Sequence, residues 1–216
     1  TSWSPYHGAA YAVVEACAKV VAAGAEFGGM RFSYQEYFER MHTARSWGKP
    51  LAALLGALRM QVELGLPSIG GKDSMSGTFQ QINVPPMLMA FGITTVDART
   101  VISTDLKGAG HRIYLVRHTP LESCMPDTEQ LKRNFTFVSD AIASGKVLAA
   151  WSVGFGGVAE GLAKMAFGNG IGVEATIDEE KLFEYAYGSI LVECEGTLEY
   201  PYAEQIGATV ADAALT

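Results

Sequence analysis

A layered α/β or α+β fold is what this sequence predicts, and three observations predict it. Helical apolar patterns over residues 8–24, 50–65 and 157–167 alternate with short β-rich runs. Hydrophobic residues make up 49% of the chain and charged ones 18%, a balance that supports a packed core and excludes disorder. A break at Gly108-Ala109-Gly110 divides the 216 residues near positions 100–110, giving room for two small domains.

The elements follow in order. Residues 8–24 are small and apolar around most of the circumference, which predicts a helix buried on several sides and stopped by Gly24. The aromatic cluster Phe32, Tyr34, Tyr37 and Phe38 suggests a short helix from Tyr34 to His42. Pro50 suits a first helical position, and Leu51, Leu54, Leu55, Leu58 and Val62 continue at helical spacing up to Gly65. Residues 67–79 then read as a loop. A strand is expected over 83–97, with Pro85 and Pro86 confining its start to an edge or a bulge. Beyond the break, strands are expected over 111–117, 146–153, 171–177 and 189–195. Helices are expected over 126–143 and 157–167, with a short one capped by Asp178.

Composition excludes several function classes. A net charge of -7 argues against a nucleic-acid partner, which calls for a basic excess. No apolar run reaches the roughly 18 residues of a membrane span, and no signal peptide opens the chain, so no membrane partner is expected. Cys17, Cys124 and Cys194 are scattered and odd in number, which fits neither a disulfide framework nor a metal spacing and points to a cytoplasmic location. A chain that starts at Thr1 without Met is expected of a processed product or a piece of something larger.

The stretch Gly70-Gly71-Lys72-Asp73-Ser74 concentrates chemistry. Paired glycines let backbone approach a ligand, while Lys, Asp and Ser supply a cation, an acceptor and a hydroxyl suited to a phosphorylated ligand. It is not a Walker loop, because Leu66 and Asp73 stand where that motif needs Gly and Ser or Thr. Glu15 and Lys19, four apart on a helix with almost no polar face, are either an ion pair or functional charges. Residues 154–159 match a G-x-G-x-x-A dinucleotide turn. Too few residues follow to complete a doubly wound domain, so a phosphate at a helix N-terminus through Gly156 and Gly157, or a tight turn of small residues, fits better. His7, His42, His111 and His118 have no partner spacing and are expected to be structural.

Together, Ser4-Pro5-Tyr6-His7-Gly8-Ala9-Ala10, the Glu15 helix, Leu66-Pro67 with Gly70 to Ser76, and Gly156 to Gly168 resemble phosphoribosylformylglycinamidine synthase over nearly the whole chain. The resemblance implies a ligase of purine biosynthesis that uses ATP and glutamine to convert formylglycinamide ribonucleotide to formylglycinamidine ribonucleotide. It also implies two-layer domains of the aminoimidazole-ribonucleotide-synthetase type. Residues 1–105 would be the later part of an N-terminal domain, and 106–216 the C-terminal α/β domain, both from the second half of the large form. The partners implied are the remainder of the same polypeptide, namely the first synthetase half and the glutaminase (glutamine amidotransferase) domain, together with a small-molecule nucleotide.

The departures from that family carry information. Members often place Asn four residues after the helix Glu, and both serve magnesium; here Glu15 is followed by Lys19. The C-terminal domain often reads His-Asp-x-Ser-Asp-Gly-Gly; here Ser152 and Phe155 stand at the two acids. Losing two hard oxygen ligands removes most of the affinity for Mg²⁺. The resemblance therefore implies ATP or ADP and Mg²⁺ as cofactors, the metal weakened or lost, with Glu15 its only remaining ligand. Gly70, Gly71, Lys72, Asp73, Ser74, Lys19, Gly156 and Gly157 would contact nucleotide, and Lys19 would supply positive charge in place of the ion. No residue here is expected to be catalytic. Two alternatives stand beside this auxiliary half: a purely structural interdomain module, and a dinucleotide-dependent oxidoreductase.

Overall fold

The computed structural model describes all 216 residues, Thr1–Thr216. Contacts divide the chain into two units. The first comprises Thr1–Ala16, Gly28–Thr94 and Pro120–Thr128; the second comprises Cys17–Phe27, Thr95–Thr119 and Glu129–Thr216. Helix α1 (Pro5–Ala22) runs from the first into the second. It is buried on several faces through Ala9, Ala10, Val13, Val14, Cys17 and Val21, as its composition requires.

In the first unit, β1 (Arg31–Tyr37), α2 (Ala44–Leu64) and β2 (Ser68–Ser74) form a strand–helix–strand crossover with β1 and β2 parallel. Strands β3 (Thr78–Phe79) and β4 (Ile82–Asn83) make a small hairpin, and β5 (Met87–Ile93) pairs antiparallel with the other side of β1. The sheet order is β2-β1-β5.

Three sequence expectations are corrected here. The aromatic cluster is a strand, not a helix, because Phe32, Tyr34 and Phe38 alternate onto one buried face; Glu36 occupies the same face and breaks the apolar alternation that marks a strand. Gly70 to Ser74 is an edge strand, not a loop, held by parallel pairing to β1 despite glycines of poor strand propensity. At Gly71 the neighbour fits because no Cβ is present: one would lie 2.8 Å from the Tyr34 carbonyl oxygen. Helix α2 begins at Ala44, six residues before Pro50. Thr43 caps it and forms a reciprocal capping box with Ser46, so Pro50 sits inside the helix. The face that α2 buries is made of small residues, Ala53, Gly56 and Ala57, with Met60 and Leu64, while Leu51, Leu54, Leu55, Leu58 and Val62 point outward. Close approach explains the choice, since a Cβ on Gly56 would lie 2.0 Å from the Tyr6 carbonyl oxygen.

In the second unit, β6 (Arg112–Val116), β7 (Ala149–Ser152), β8 (Gly172–Ala175), β9 (Ile190–Cys194) and β10 (Ala203–Val210) form one sheet in the order β7-β9-β6-β10-β8. Every pairing in it is antiparallel. Helix α4 (Gly157–Phe167) lays Val158, Leu162 and Met165 on Ile113, Leu115, Ala149, Leu191 and Ile206. Truncating any of the larger ones (Ile113, Leu115, Leu162, Met165, Leu191 or Ile206) to Ala would cost about 2–5 kcal/mol. Helix α3 (Thr128–Ala143) buries Leu131, Phe135, Val138 and Ile142 at helical spacing, and α5 (Glu179–Leu182) is a single turn. Strand β10 has no counterpart among the expected elements. Its register shifts between Gln205 and Gly207, which interrupts the two-residue alternation by which a strand is recognised. The antiparallel sheet also overturns the dinucleotide reading: residues 154–159 lie between β7 and α4, but no parallel crossover follows them.

Candidate functional site

In the second unit, one cavity gathers residues singled out by the sequence. Lys19 arrives on the last turn of α1, and Trp151 and Ser152 on the sheet-edge strand β7. Ser103 and Thr104 come from a segment tied to the helix end by the Ile102 N–H, which donates to the Ala23 carbonyl at 3.4 Å. The cavity has a volume of about 410 Å³, and no Asp or Glu lines it. Ser152 is 8% exposed, and its Oγ has no hydrogen-bond partner. The Trp151 Nε1–H is buried and unpartnered as well, while Lys164 Nζ lies 5.3 Å from the Trp151 ring centroid. The two side chains point to opposite faces of β7, Trp151 packing with Ala149 and Val153 onto the α4 side, so the two unpartnered atoms do not share one environment.

The start of α4 is arranged differently from the sequence expectation for Gly156 and Gly157. The Gly156 N–H donates to Glu160 Oε2 at 2.9 Å, and Lys164 Nζ donates to Glu160 Oε1 at 2.6 Å. The Lys164 ammonium and then the Gly156 N–H hold the Glu160 carboxyl below the usual carboxylate range, with a smaller contribution from Lys19. A carboxylate thus already sits where the helix would attract an anion. Gly157 has φ +68°, and a Cβ there would lie 2.4 Å from the Leu182 carbonyl oxygen, so packing and turn geometry both require glycine. Phe155, at one of the replaced acid positions, is exposed and stacks on Tyr185.

The remaining sequence candidates lie in the first unit. Gly70, Gly71, Lys72 and Asp73 are exposed along β2, and Ser74 is half-buried. Lys72 Nζ donates to the Asp73 carbonyl at 3.3 Å. Glu15 is half-buried and Lys19 exposed, one turn apart on α1. For magnesium, the residues present do not fit. Nowhere do three His, Cys, Asp or Glu side chains cluster to hold an ion, and no Asp or Glu lines the cavity beside Lys19. Glu15 would need ligands from outside this chain.

Sequence reasoning missed two acids. Glu36 is 2% exposed, its Oε1 lacks a partner, and it faces Asp73 across the β1–β2 pair; burial first, and the Asp73 charge second, push its carboxyl up to about 7. Glu193 is fully buried. It accepts from the Lys107 N–H (2.8 Å), the Gly108 N–H (3.2 Å) and His111 Nδ1 (2.7 Å), which explains His111 as a structural residue. These contacts floor a second cavity, of about 690 Å³, lined in part by Lys107, His111 and Glu195. Burial pushes the Cys17 and Cys194 thiols up to about 12, which leaves neither as a nucleophile.

Architecture defines the class first. The two units together carry the aminoimidazole-ribonucleotide-synthetase-like fold. They align over 97% of the chain, with a TM-score of 0.74 and 16% identity, to Thermotoga maritima PurL complexed with AMPPCP, and over 96% with TM-score 0.74 and 14% identity to the same protein complexed with FGAR. E. coli HypE, a hydrogenase maturation protein, aligns over 96% with TM-score 0.72 and 13% identity. In sequence, the chain is 28% identical over 198 residues to the phosphoribosylformylglycinamidine synthase subunit PurL of Methanocaldococcus jannaschii, covering 82% of this chain. No protein-family model matches it. The chain spans 27% of the length of that curated relative and 38% of the T. maritima PurL chain.

Proposed function

We propose that this chain is a segment of a phosphoribosylformylglycinamidine synthase, taking part in the ATP- and glutamine-dependent conversion of formylglycinamide ribonucleotide in purine biosynthesis. In this reading it supplies a non-catalytic, nucleotide-holding half, with residues 1–105 as the later part of an N-terminal domain and 106–216 as the C-terminal domain. The observation that carries the proposal is the PurL likeness in sequence over 82% of the chain, joined to the same fold over 97%. Neighbours of that fold are complexed with ATP and ADP, which supports nucleotide as the ligand class.

The non-catalytic assignment rests on the donor set. Activating an amide oxygen by phosphoryl transfer needs metal and converging cations. Here Lys19 stands at the Asn position, and Ser152 and Phe155 stand at the two acid positions. Lys72, Asp73 and the glycines of β2 would contact a phosphorylated ligand, and Gly156 and Gly157 would do so only in competition with Glu160. The remainder of the polypeptide, including a glutaminase domain, is the partner in this reading. The outward stripe of Trp47, Leu51, Leu54, Leu55, Leu58 and Val62 on α2 supports a partner surface, since an unpartnered amphipathic face of this kind normally packs on another element.

A purely structural role is the second reading, favoured by the position of Gly70 to Ser74 within a paired strand. Replacing Lys72 and Asp73 with Ala in the full-length protein separates the two. Loss of nucleotide binding at unchanged thermal stability supports the nucleotide site. A stability loss with nucleotide binding intact supports the structural role.

A further inference from the structure

We propose that the outward stripe of α2 is the contact by which two copies of this chain pair, helix against helix and antiparallel. The proposal goes beyond the function proposed above and does not depend on it, because it rests on α2 alone. This helix carries two apolar faces where a surface helix normally carries one. Ala53, Gly56 and Ala57, with Met60 and Leu64, fill the inward face. The second face is made of Trp47, Leu51, Leu54, Leu55, Leu58 and Val62, which are 45% to 72% exposed. At about 100° per residue these six fall within an arc of roughly 100°, and none of the charged residues of α2 falls inside it.

The order of the six residues points to the partner. Counted from the midpoint between Leu54 and Leu55, the stripe is its own mirror: Trp47 answers Val62, Leu51 answers Leu58, and Leu54 answers Leu55. A two-fold contact between identical subunits needs a self-complementary surface, in which residue i meets j as j meets i. Two α2 helices laid antiparallel about that midpoint satisfy it, with Leu51 of each copy over Leu58 of the other and each Trp47 over the smaller Val62. A lipid surface or an unrelated segment places no such demand on the order. Reversal also sets the two helix dipoles head to tail. At the edge of the stripe, Gly48 has nothing within 4 Å of where a Cβ would stand, which leaves that shoulder open to a close neighbour. The exposed part of the six side chains amounts to roughly 600 Å² per copy, the upper end of what a monomer leaves in one apolar patch. A pair would bury about 1,200 Å², which reaches the lower edge of a stable interface.

The test measures the mass of the nucleotide-free 216-residue chain by sedimentation equilibrium between about 1 and 200 μM. The expected result is two chains per particle at the concentrated end, dissociating toward one on dilution. Leu54→Lys with Leu58→Lys sets four ammonium groups in the seam and should weaken association about 100-fold or more, with folding checked by the thermal midpoint at the dilute end. Orientation is read by disulfide cross-linking in a Cys124→Ser background, which removes the exposed native thiol and does not need the lysine variant. Leu55→Cys stands beside its own counterpart across the two-fold and should cross-link, whereas Val62→Cys lies about 22 Å from its counterpart and should not. A chain that stays single at the concentrated end overturns the proposal, whatever else the stripe then binds. Association that ignores the lysines places the contact elsewhere, and cross-linking at position 62 as fast as at 55 means another pairing; either overturns it too. None of these outcomes bears on whether nucleotide binds.

Discussion

Replacing Glu36 with Gln should flatten the pH dependence of stability in the first unit. Glu36 is 2% exposed, has an unpartnered Oε1 and faces Asp73, so burial raises its carboxyl from an ordinary 4.5 to about 7. The folded state therefore holds a proton that the unfolded chain releases. Below pH 4.5 both states are protonated and the native packing is at full strength. Between 4.5 and 7 the unfolded state ionises first, and stability falls as pH rises. Above 7 both are ionised and the loss is complete. A displacement of about 2.5 pH units at about 1.4 kcal/mol each gives an upper bound of roughly 3 kcal/mol, which solvent screening of the carboxyl lowers. Glu36→Gln keeps the shape and cannot ionise. Urea unfolding from pH 4.5 to 8, with hydrogen exchange at the β1 amides to isolate the first unit, should show the variant gaining about 1–3 kcal/mol over the parent across that range. Parallel profiles for the two proteins would refute the reasoning.

Further outcomes follow from single features. Gly157→Ala must place a Cβ 2.4 Å from the Leu182 carbonyl oxygen at φ +68°, so it should lower stability by about 2 kcal/mol or more, read from the thermal midpoint. Glu193→Ala leaves the Lys107 and Gly108 N–H groups and His111 without their acceptor; a loss of about 3 kcal/mol in denaturant unfolding is expected, and less than 1 would contradict the role given to Glu193. Leu54→Lys with Leu58→Lys lies on the outward stripe of α2. Thermal unfolding should show stability changed by no more than about 0.5 kcal/mol, whereas a large destabilisation would mean the stripe packs within the chain.

Where local pattern and tertiary context agreed, the sequence was readable. Helix α4 was expected over 157–167 and spans those residues, because Val158, Leu162 and Met165 keep helical period between glycines. Strands β6, β7, β8 and β9 lie within their expected ranges. Context overrode pattern at β2, where pairing to β1 extends a glycine-rich run, and at β1, where a buried Glu36 disguises the alternation. The face of α2 was illegible for a related reason. Leucines mark a helix, but steric fit against Tyr6 decides which side packs, and that selects Gly56 and Ala57. Lys19 could be singled out with Glu15 as a charged pair on an apolar helix. Ser152 entered only as a replaced acid, and its unpartnered hydroxyl beside a cavity emerges only in three dimensions. Glu193 carried no signal at all, since a single Glu between Val192 and Cys194 looks like an edge residue until its partners, more than 80 positions away, are seen.

The most direct test is to titrate the 216-residue chain with ATP and follow bound nucleotide and released phosphate in the same samples. A non-catalytic, nucleotide-holding half predicts one nucleotide bound per chain and no phosphate release, with or without formylglycinamide ribonucleotide. Sustained phosphate release, or no nucleotide bound at millimolar ATP, would contradict it.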